Sequence, residues 1–370
     1  MTDVAALTPM EVPTRAGRLI EHLPAAGIDA LLVSHLPNIR YLTGFTGSAA
    51  LLLVGRDGLT FVTDGRYSDQ ASEQLRAAAV DATVRVGRTN AEQRELLSGA
   101  VFGPTRLGME AEHVSWARQR EIASSWFEGA DLVPTSGLVE ALRELKDPGE
   151  VDRIEAAADI ADAALSSVRR RLADRPRERD FAFELEVEMR RLGADGPSFE
   201  TIVGSGPNGA KPHARPTDRV IAEGDLVVLD FGALVDGYHS DISRTICVGE
   251  PSATQLRMLD VVTASQAAGV GAVHEGAAAA EVDRVCRDVI GDAGWADAFV
   301  HGTGHGVGLD IHEAPRVGSS SDATLVAGQV VTVEPGVYLP EHGGVRVEDT
   351  MLVTADGARV LTKSPKHWTI

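Results

Sequence analysis

Apolar positions along this chain follow more than one rhythm. Between residues 28 and 134, short apolar runs at Ile28–Val33, Ala50–Val54, Leu59–Thr63 and Arg106–Met109 alternate with amphipathic stretches at Tyr67–Ala78, Ala91–Ala100 and Val114–Phe127. The short runs are strand-like and the amphipathic stretches helix-like, so this part predicts an α/β domain. A new pattern starts at Lys146-Asp147-Pro148-Gly149-Glu150. There Asp147 can cap a helix, Pro148 suits its first position, and Glu150 sits three residues after the cap. Val151, Ile154, Ala158, Ala161, Leu165, Val168 and Leu172 then form one apolar stripe, and Phe181, Leu185, Met189 and Leu192 repeat it up to Gly193. Helices are also expected near Thr254–Val273 and Ala279–Ala293.

The remaining periodicity is that of paired strands. Leu226–Ala233 and Ser240–Val248 flank Asp236-Gly237, a hairpin-turn dipeptide, while Val330–Tyr338 and Val345–Val353 flank a loop from Pro340 to Gly344. Two hairpins, each preceded by helices, imply an internally duplicated plan. The expected organisation is a smaller α/β domain over residues 1–138 and a larger α+β domain over residues 139–370.

Composition narrows the function. At 370 residues the chain is long enough for two domains, and 35 Lys plus Arg against 54 Asp plus Glu give a net charge of −19. That charge disfavours nucleic acid and anionic membrane surfaces as partners. The two cysteines, Cys247 and Cys286, lie in apolar stretches without metal-type spacing and read as reduced core thiols. With no basic and apolar leader and no run of membrane-spanning length, a soluble cytoplasmic protein is expected.

Candidate chemistry concentrates in the second domain. Asp230 and Asp241 lie on opposite arms of the first hairpin at nearly equal distances from its turn, so they are expected to face each other. Two such carboxylates cannot both ionise in a partly buried site without a compensating cation. Glu334 and Glu348 are symmetric about Glu341 in the second hairpin, and Arg346 shares a face with Glu348. Gly-rich His301–Glu313 supplies His301, His305 and His312; its glycines favour an extended, close-packed segment over a helical zinc motif. Four carboxylates and one imidazole suit hard or borderline ions such as Mn, Co, Fe or Zn, and they are too many anionic ligands for one ion. Two metals and hydrolysis by an activated water are the economical reading. Gly204, Gly206 and Gly209 mimic a dinucleotide loop, but Pro207 and Pro212 leave no helix to hold a pyrophosphate. His213 in that loop is a candidate to reach a reaction centre. His239, two residues before Asp241, is a candidate for support behind a ligand. His22, His35, His113, His274, His342 and His367 read as surface or structural.

These segments together resemble the metallopeptidase family with the pita-bread fold (M24), in the branch of Xaa-Pro aminopeptidase and Xaa-Pro dipeptidase (prolidase). Asp230-Phe231-Gly232, Ser240 to Thr245 with Asp241, His301 to Gly308 with His305, Glu334-Pro335-Gly336 and Val347 to Thr350 with Glu348 occur in the family's order. Arg40 to Ser48 and Thr63 to Ala71 look like the smaller N-terminal domain of creatinase-like members. The resemblance implies an exopeptidase cutting between an N-terminal residue and proline. Asp230, Asp241, His305, Glu334 and Glu348 would hold two divalent ions, Mn first. Glu334 would also move the proton, His213 and His312 would stabilise the oxyanion, and His301 and Arg346 would line the proline side. A proline-containing peptide substrate and a homodimer are implied too. A catalytically inactive pita-bread binding protein is the alternative. A metal-free creatinase-like amidinohydrolase is disfavoured because all five ligand positions are intact.

Overall fold

The four apolar runs of the N-terminal region all become strands of one sheet. The computed structural model describes residues 4–101, 105–127, 129–366 and 369–370. Its six-stranded sheet comprises β1 (Ala30–Val33), β2 (Ala50–Gly55), β3 (Gly58–Thr63), β4 (Ala82–Val86), β5 (Arg106–Glu110) and β6 (Asp131–Thr135), in the order β4-β3-β2-β1-β5-β6. The sequence pattern missed β4 and β6, the two edges, whose residues are mostly exposed or half-buried and therefore carry no apolar run. Helices α1 (Val12–His22), α2 (Leu36–Thr43), α3 (Ser68–Ala77), α4 (Asn90–Ser98), α5 (Trp116–Ser125) and α6 (Leu138–Arg143) accompany it. The hydroxyls of Thr89 and Ser115 cap α4 and α5. Helices α1, α2 and α6 were not foreseen. Glu11–Arg143 is one compact unit; the other is Glu144–Ile370 with the segment up to Met10.

The larger unit is α+β. Helix α7 (Pro148–Val168) starts with the capping box expected at Asp147 and Glu150, and its last stripe residue, Leu172, falls in a 3-10 turn that follows. With α8 (Glu178–Arg191) it packs on strands β7 (Gly196–Pro197), β8 (Ile202–Ser205), β9 (Leu226–Phe231), β10 (Ala233–Val235), β11 (Tyr238–His239) and β12 (Ile242–Cys247). Ala157, Ala161, Phe181, Leu185 and Met189 from the helices meet Val203, Val227, Leu229, Phe231 and Ile246 from the strands in one core. Helices α9 (Ala253–Ala272) and α10 (Ala279–Asp292) belong to a second core, with Val331, Val333, Val345, Met351 and Val353. Those residues lie on strands of a second group: β13 (Gly304–Gly306), β14 (Glu313–Val317), β15 (Val330–Val333), β16 (Gly336–Leu339), β17 (Gly343–Arg346), β18 (Asp349–Thr354) and β19 (Gly357–Val360). Each hairpin thus has its own helix pair, which is the duplicated plan read from the sequence.

Candidate metal centre

Both long hairpins break into two ladders at or beside their acidic residues. In the first, β9 pairs with β12, and the same register continues between β10 and β11. Asp230 pairs with Ser243, so Asp230 and Asp241 are diagonal neighbours and not directly opposed as expected. The turn at Asp236-Gly237 lies two residues closer to Asp241 than to Asp230. A difference of two keeps both side chains on one face, because strand side chains repeat every two residues. The expected facing geometry was therefore wrong in register.

In the second hairpin, Val333 pairs with Asp349 and Gly336 with Arg346. Glu334 and Glu348 consequently oppose each other in the break, as their symmetry about Glu341 indicated. The two hairpins meet through Ser243. Its hydroxyl donates to Glu348 Oε2 at 2.9 Å and accepts from Arg346 Nε at 2.9 Å, and its carbonyl accepts from the Glu348 N–H at 3.1 Å.

His305 arrives on β13, which is wedged between β14 and β15. Added Cβ atoms would lie 2.0 Å from the Thr332 carbonyl at Gly304 and 2.2 Å from the Ala314 carbonyl at Gly306. Only glycine permits that approach. The Nδ1 of His305 bonds to the Gly306 carbonyl at 2.9 Å, which requires the proton on Nδ1 and leaves the Nε2 lone pair facing inward. Nε2 lies 3.5 Å from both Asp241 Oδ2 and Glu334 Oε1. Burial pushes this imidazole down to about 4, so it is neutral at pH 7.

When the carboxyls are ionised, the nitrogen acceptor and the oxygens facing it have no donor to satisfy either side. Ligand atoms of Asp241, His305 and Glu348 all lie within 4.8 Å of one another. Asp230 Oδ1 and Glu348 Oε1 are buried without a hydrogen-bond partner among the described residues. Burial, then the neighbouring charges of Glu348 and Asp230, raises the Asp241 carboxyl well above its usual range. Burial and the charges of Glu334 and Asp230 do the same to Glu348. Glu334 is pushed up to about 8, chiefly by burial. Orphaned acceptors and crowded carboxylates of this kind fit divalent cations, which would satisfy the oxygens and reverse the repulsion. Oxygen donors with one imidazole fit hard or borderline ions.

The other candidates surround this cluster. Arg346 is buried, and its guanidinium donates to Ser243 Oγ, Asp230 Oδ2, the Tyr338 hydroxyl at 2.8 Å and the Pro212 carbonyl at 3.0 Å. His301 bonds to the same Tyr338 hydroxyl at 2.9 Å and is pushed down to about 4 by burial and by the Arg346 charge. His312 is exposed, with its ring centroid 4.3 Å from that of His305. His213 is exposed. His239 instead bonds to Ser198 Oγ at 2.9 Å. His35 and His113 stack on each other in the smaller unit, and His367 lies outside the described residues. No α-helix follows Gly204 to Gly209, as the prolines dictated; a short 3-10 turn at Gly206–Asn208 leads into a loop. Ser243 and Tyr338 were not foreseen. Ser243 could have been found, since it shares the face of Asp241 two residues away. Tyr338 gave no signal, because its link to Arg346 and His301 is made in space.

Comparison with known proteins gives the family. A family model described as Metallopeptidase family M24 matches residues 152–355, and one described as Creatinase/Prolidase N-terminal domain matches residues 15–145. The Xaa-Pro dipeptidase of Pyrococcus furiosus is 34% identical over 355 residues, covering 95% of this chain and 99% of that protein. The solved structure of an Xaa-Pro dipeptidase from Bacillus anthracis superimposes with a TM-score of 0.91 at 38% identity, covering 97% of this chain and 100% of the other. That of an X-Pro aminopeptidase from Thermotoga maritima superimposes with a TM-score of 0.87 at 32% identity, covering 96% and 100%.

Proposed function

We propose, from the premise that this chain belongs to metallopeptidase family M24, that it hydrolyses the bond between an N-terminal residue and proline. Its catalytic unit has the α+β pita-bread fold of that family, with a creatinase-like N-terminal domain before it, and it is a hydrolase. The domain division is taken at residue 138. Asp230, Asp241, His305, Glu334 and Glu348 would hold two divalent ions, Mn first, with Co, Zn or Fe able to fill the same set. Such ions, when bound, polarise the scissile carbonyl and make a water nucleophilic near neutral pH.

The chain's own groups do the rest. Glu334 takes a proton from the attacking water and passes it to the departing proline nitrogen. His213 and His312 donate to the oxyanion that develops on the substrate. His301, held by Tyr338, lines the proline side, and Arg346 fixes Asp230 and the His213 loop there. The bond before proline lacks an N–H, so this side must accept a ring where a donor would otherwise be met. The observation carrying this reading is the pair of buried, unpartnered oxygens, Asp230 Oδ1 and Glu348 Oε1, beside the inward Nε2 of His305. The likeness to Xaa-Pro dipeptidases and the presence of all five candidate ligands in the sequence favour this reading over the non-catalytic alternative.

We place the enzyme in the cytoplasm as a homodimer. The thiols of Cys247 and Cys286, buried and pushed up to about 11 by burial, support a reducing compartment, and family resemblance supports the dimer. The test compares an Xaa-Pro dipeptide with a longer Xaa-Pro peptide under identical metal loading. Turnover is expected to vanish with a chelator and to return with Mn or Co. Full turnover in chelator would overturn the metal reading, and cleavage of neither peptide would overturn the activity.

A further inference from the structure

His213 rides on an exposed loop between β8 and β9, yet three anchors fix that loop. In its middle, a Cβ on Gly344 would lie 1.9 Å from the Gly209 carbonyl, so the loop rests directly on the backbone of β17. Near its tip, the Pro212 carbonyl takes a hydrogen bond from Arg346 at 3.0 Å. At its two ends stands Glu178, the first residue of α8, fully buried. Glu178 Oε1 accepts from the Ser205 N–H at 2.8 Å and its hydroxyl at 2.7 Å, where the loop begins. Oε2 accepts from the Thr217 N–H at 3.0 Å and its hydroxyl at 2.6 Å, where the loop ends. The Asn208 amide reaches both oxygens, at 3.2 and 3.1 Å.

None of the described Lys, Arg or His residues forms an ion pair with Glu178. Arg219 adds its charge from behind Ser205, whose hydroxyl accepts from it, but does not touch the carboxylate; burial of that carboxylate is costly, and its own hydrogen bonds must offset the cost. Burial drives this carboxyl upward, but the bonds from Thr217 and Ser205 outweigh it and hold the group below its ordinary value. A charge kept ionised in the interior by donors from both ends of one loop does more than fill space. We propose that Glu178 is the positioning residue for His213. Its carboxylate staples the ends of the Ser205–Thr217 loop and so sets where the imidazole meets the substrate oxyanion. This rests on the role given to His213 above.

Glu178→Gln keeps the shape but turns an amide NH2 toward donors, opening one end of the staple. Misplacing a group by about 1 Å can cost about 100-fold in rate, so kcat is expected to fall about 10- to 100-fold. KM and bound metal stay unchanged, because an oxyanion contact is made in the transition state and not in the ground state. Glu178→Asp, which keeps the charge on a shorter stem, recovers part of the loss. In a His213→Ala background, Glu178→Gln costs nothing further. An equal loss in both backgrounds, or wild-type kcat in Glu178→Gln, overturns the proposal. If that variant does not fold, Thr217→Val, which removes one donor at an exposed position, takes its place in the same cycle. Hydrogen exchange at the loop amides of the metal-free chain is expected to quicken in the variant. Unchanged exchange sinks the staple irrespective of activity, whereas a wild-type chain that cleaves no Xaa-Pro peptide sinks the functional reading while leaving the exchange result standing.

Discussion

At Ser243 one hydroxyl joins the two halves of the site. It is the hydrogen-bond donor to Glu348 Oε2 and the acceptor for Arg346 Nε, both at 2.9 Å. Ser243→Ala would leave a buried carboxylate oxygen and a buried guanidinium N–H unsatisfied, a loss of about 1–3 kcal/mol. Groups that orient ligands typically matter about 10- to 100-fold in metal affinity. The expected result is a lower melting temperature together with faster loss of metal on dialysis, and a variant that retains metal like the parent contradicts it. Asp241→Ala should abolish turnover while the metal-free protein melts no earlier than the parent, since one of the crowded charges has gone. Retained turnover would remove Asp241 from the ligand set.

The same crowding sets a pH dependence for the metal-free chain. A carboxyl raised to about 8 in the folded state, as in Glu334, stabilises the fold fully below its unfolded value of 4.5 and loses that contribution as pH rises through 8. His301 and His305, lowered to about 4, act in the opposite sense, but only as pH falls below the unfolded value of 6.5. Between pH 6.5 and 8 the carboxylates act alone. Melting temperature in chelator is therefore expected to fall with rising pH over that interval, and the slope should flatten when Mn is added. A flat profile in chelator would show that the acids are not crowded. At this scale the candidate ligands stood out because acidic residues recur on the arms of both hairpins and histidines recur amid glycines. Ser243, Tyr338 and Glu178 were not, because a hydroxyl or a helix-initiating glutamate looks ordinary until its partners, distant in sequence, are brought to it.

At the scale of elements, the centre depends on how closely strands approach. A Cβ at Gly304 would sit 2.0 Å from the Thr332 carbonyl, which is backbone and cannot swing aside. Gly304→Ala should therefore push β13 from β15 and carry His305 with it. Overpacking of this kind costs about 1–3 kcal/mol. Calorimetry and metal titration check it, and parental values in both would mean that the strand has room. The glycines of this segment were legible as a demand for close packing. The first hairpin was legible in its arms and turn, but not in which residues face each other, since an offset of two leaves the apolar pattern unchanged. The edge strands β4 and β6 were illegible because half-exposed strands need no apolar run.

At the scale of the whole molecule, every candidate ligand belongs to the Glu144–Ile370 unit, none to Glu11–Arg143. Binding to the folded state alone stabilises whatever unit contains the site. Chelation is expected to lower the calorimetric transition of the larger unit, and a shift confined to the smaller unit would place the ions elsewhere. Within the larger unit, Lys146 and Glu313 form an ion pair at 3.0 Å with side chains 1% and 7% exposed. Removing one member strands a buried charge, at a cost of about 3–5 kcal/mol, so Lys146→Ala should destabilise the larger unit by about that amount. A melting curve like the parent's would show the pair to be dispensable. The two-domain plan was legible from the capping box at Asp147 and Glu150, because helix starts are written locally; the Lys146 pair was not, because it is written across 167 positions.

The broken ladders have one more consequence, which concerns length instead of identity. An extra residue at the hairpin tips, Asp236-Gly237 or Pro340 to His342, lies beyond the ligands and can be absorbed by a looser bend. An extra residue between Arg346 and Glu348, or between Asp241 and Ser243, would rotate the carboxylate to the far side of its strand. Insertions and deletions in the lineage of this chain are thus expected to collect at the tips, and the spans from each ligand to its neighbouring ladder to stay fixed in length while their residues drift.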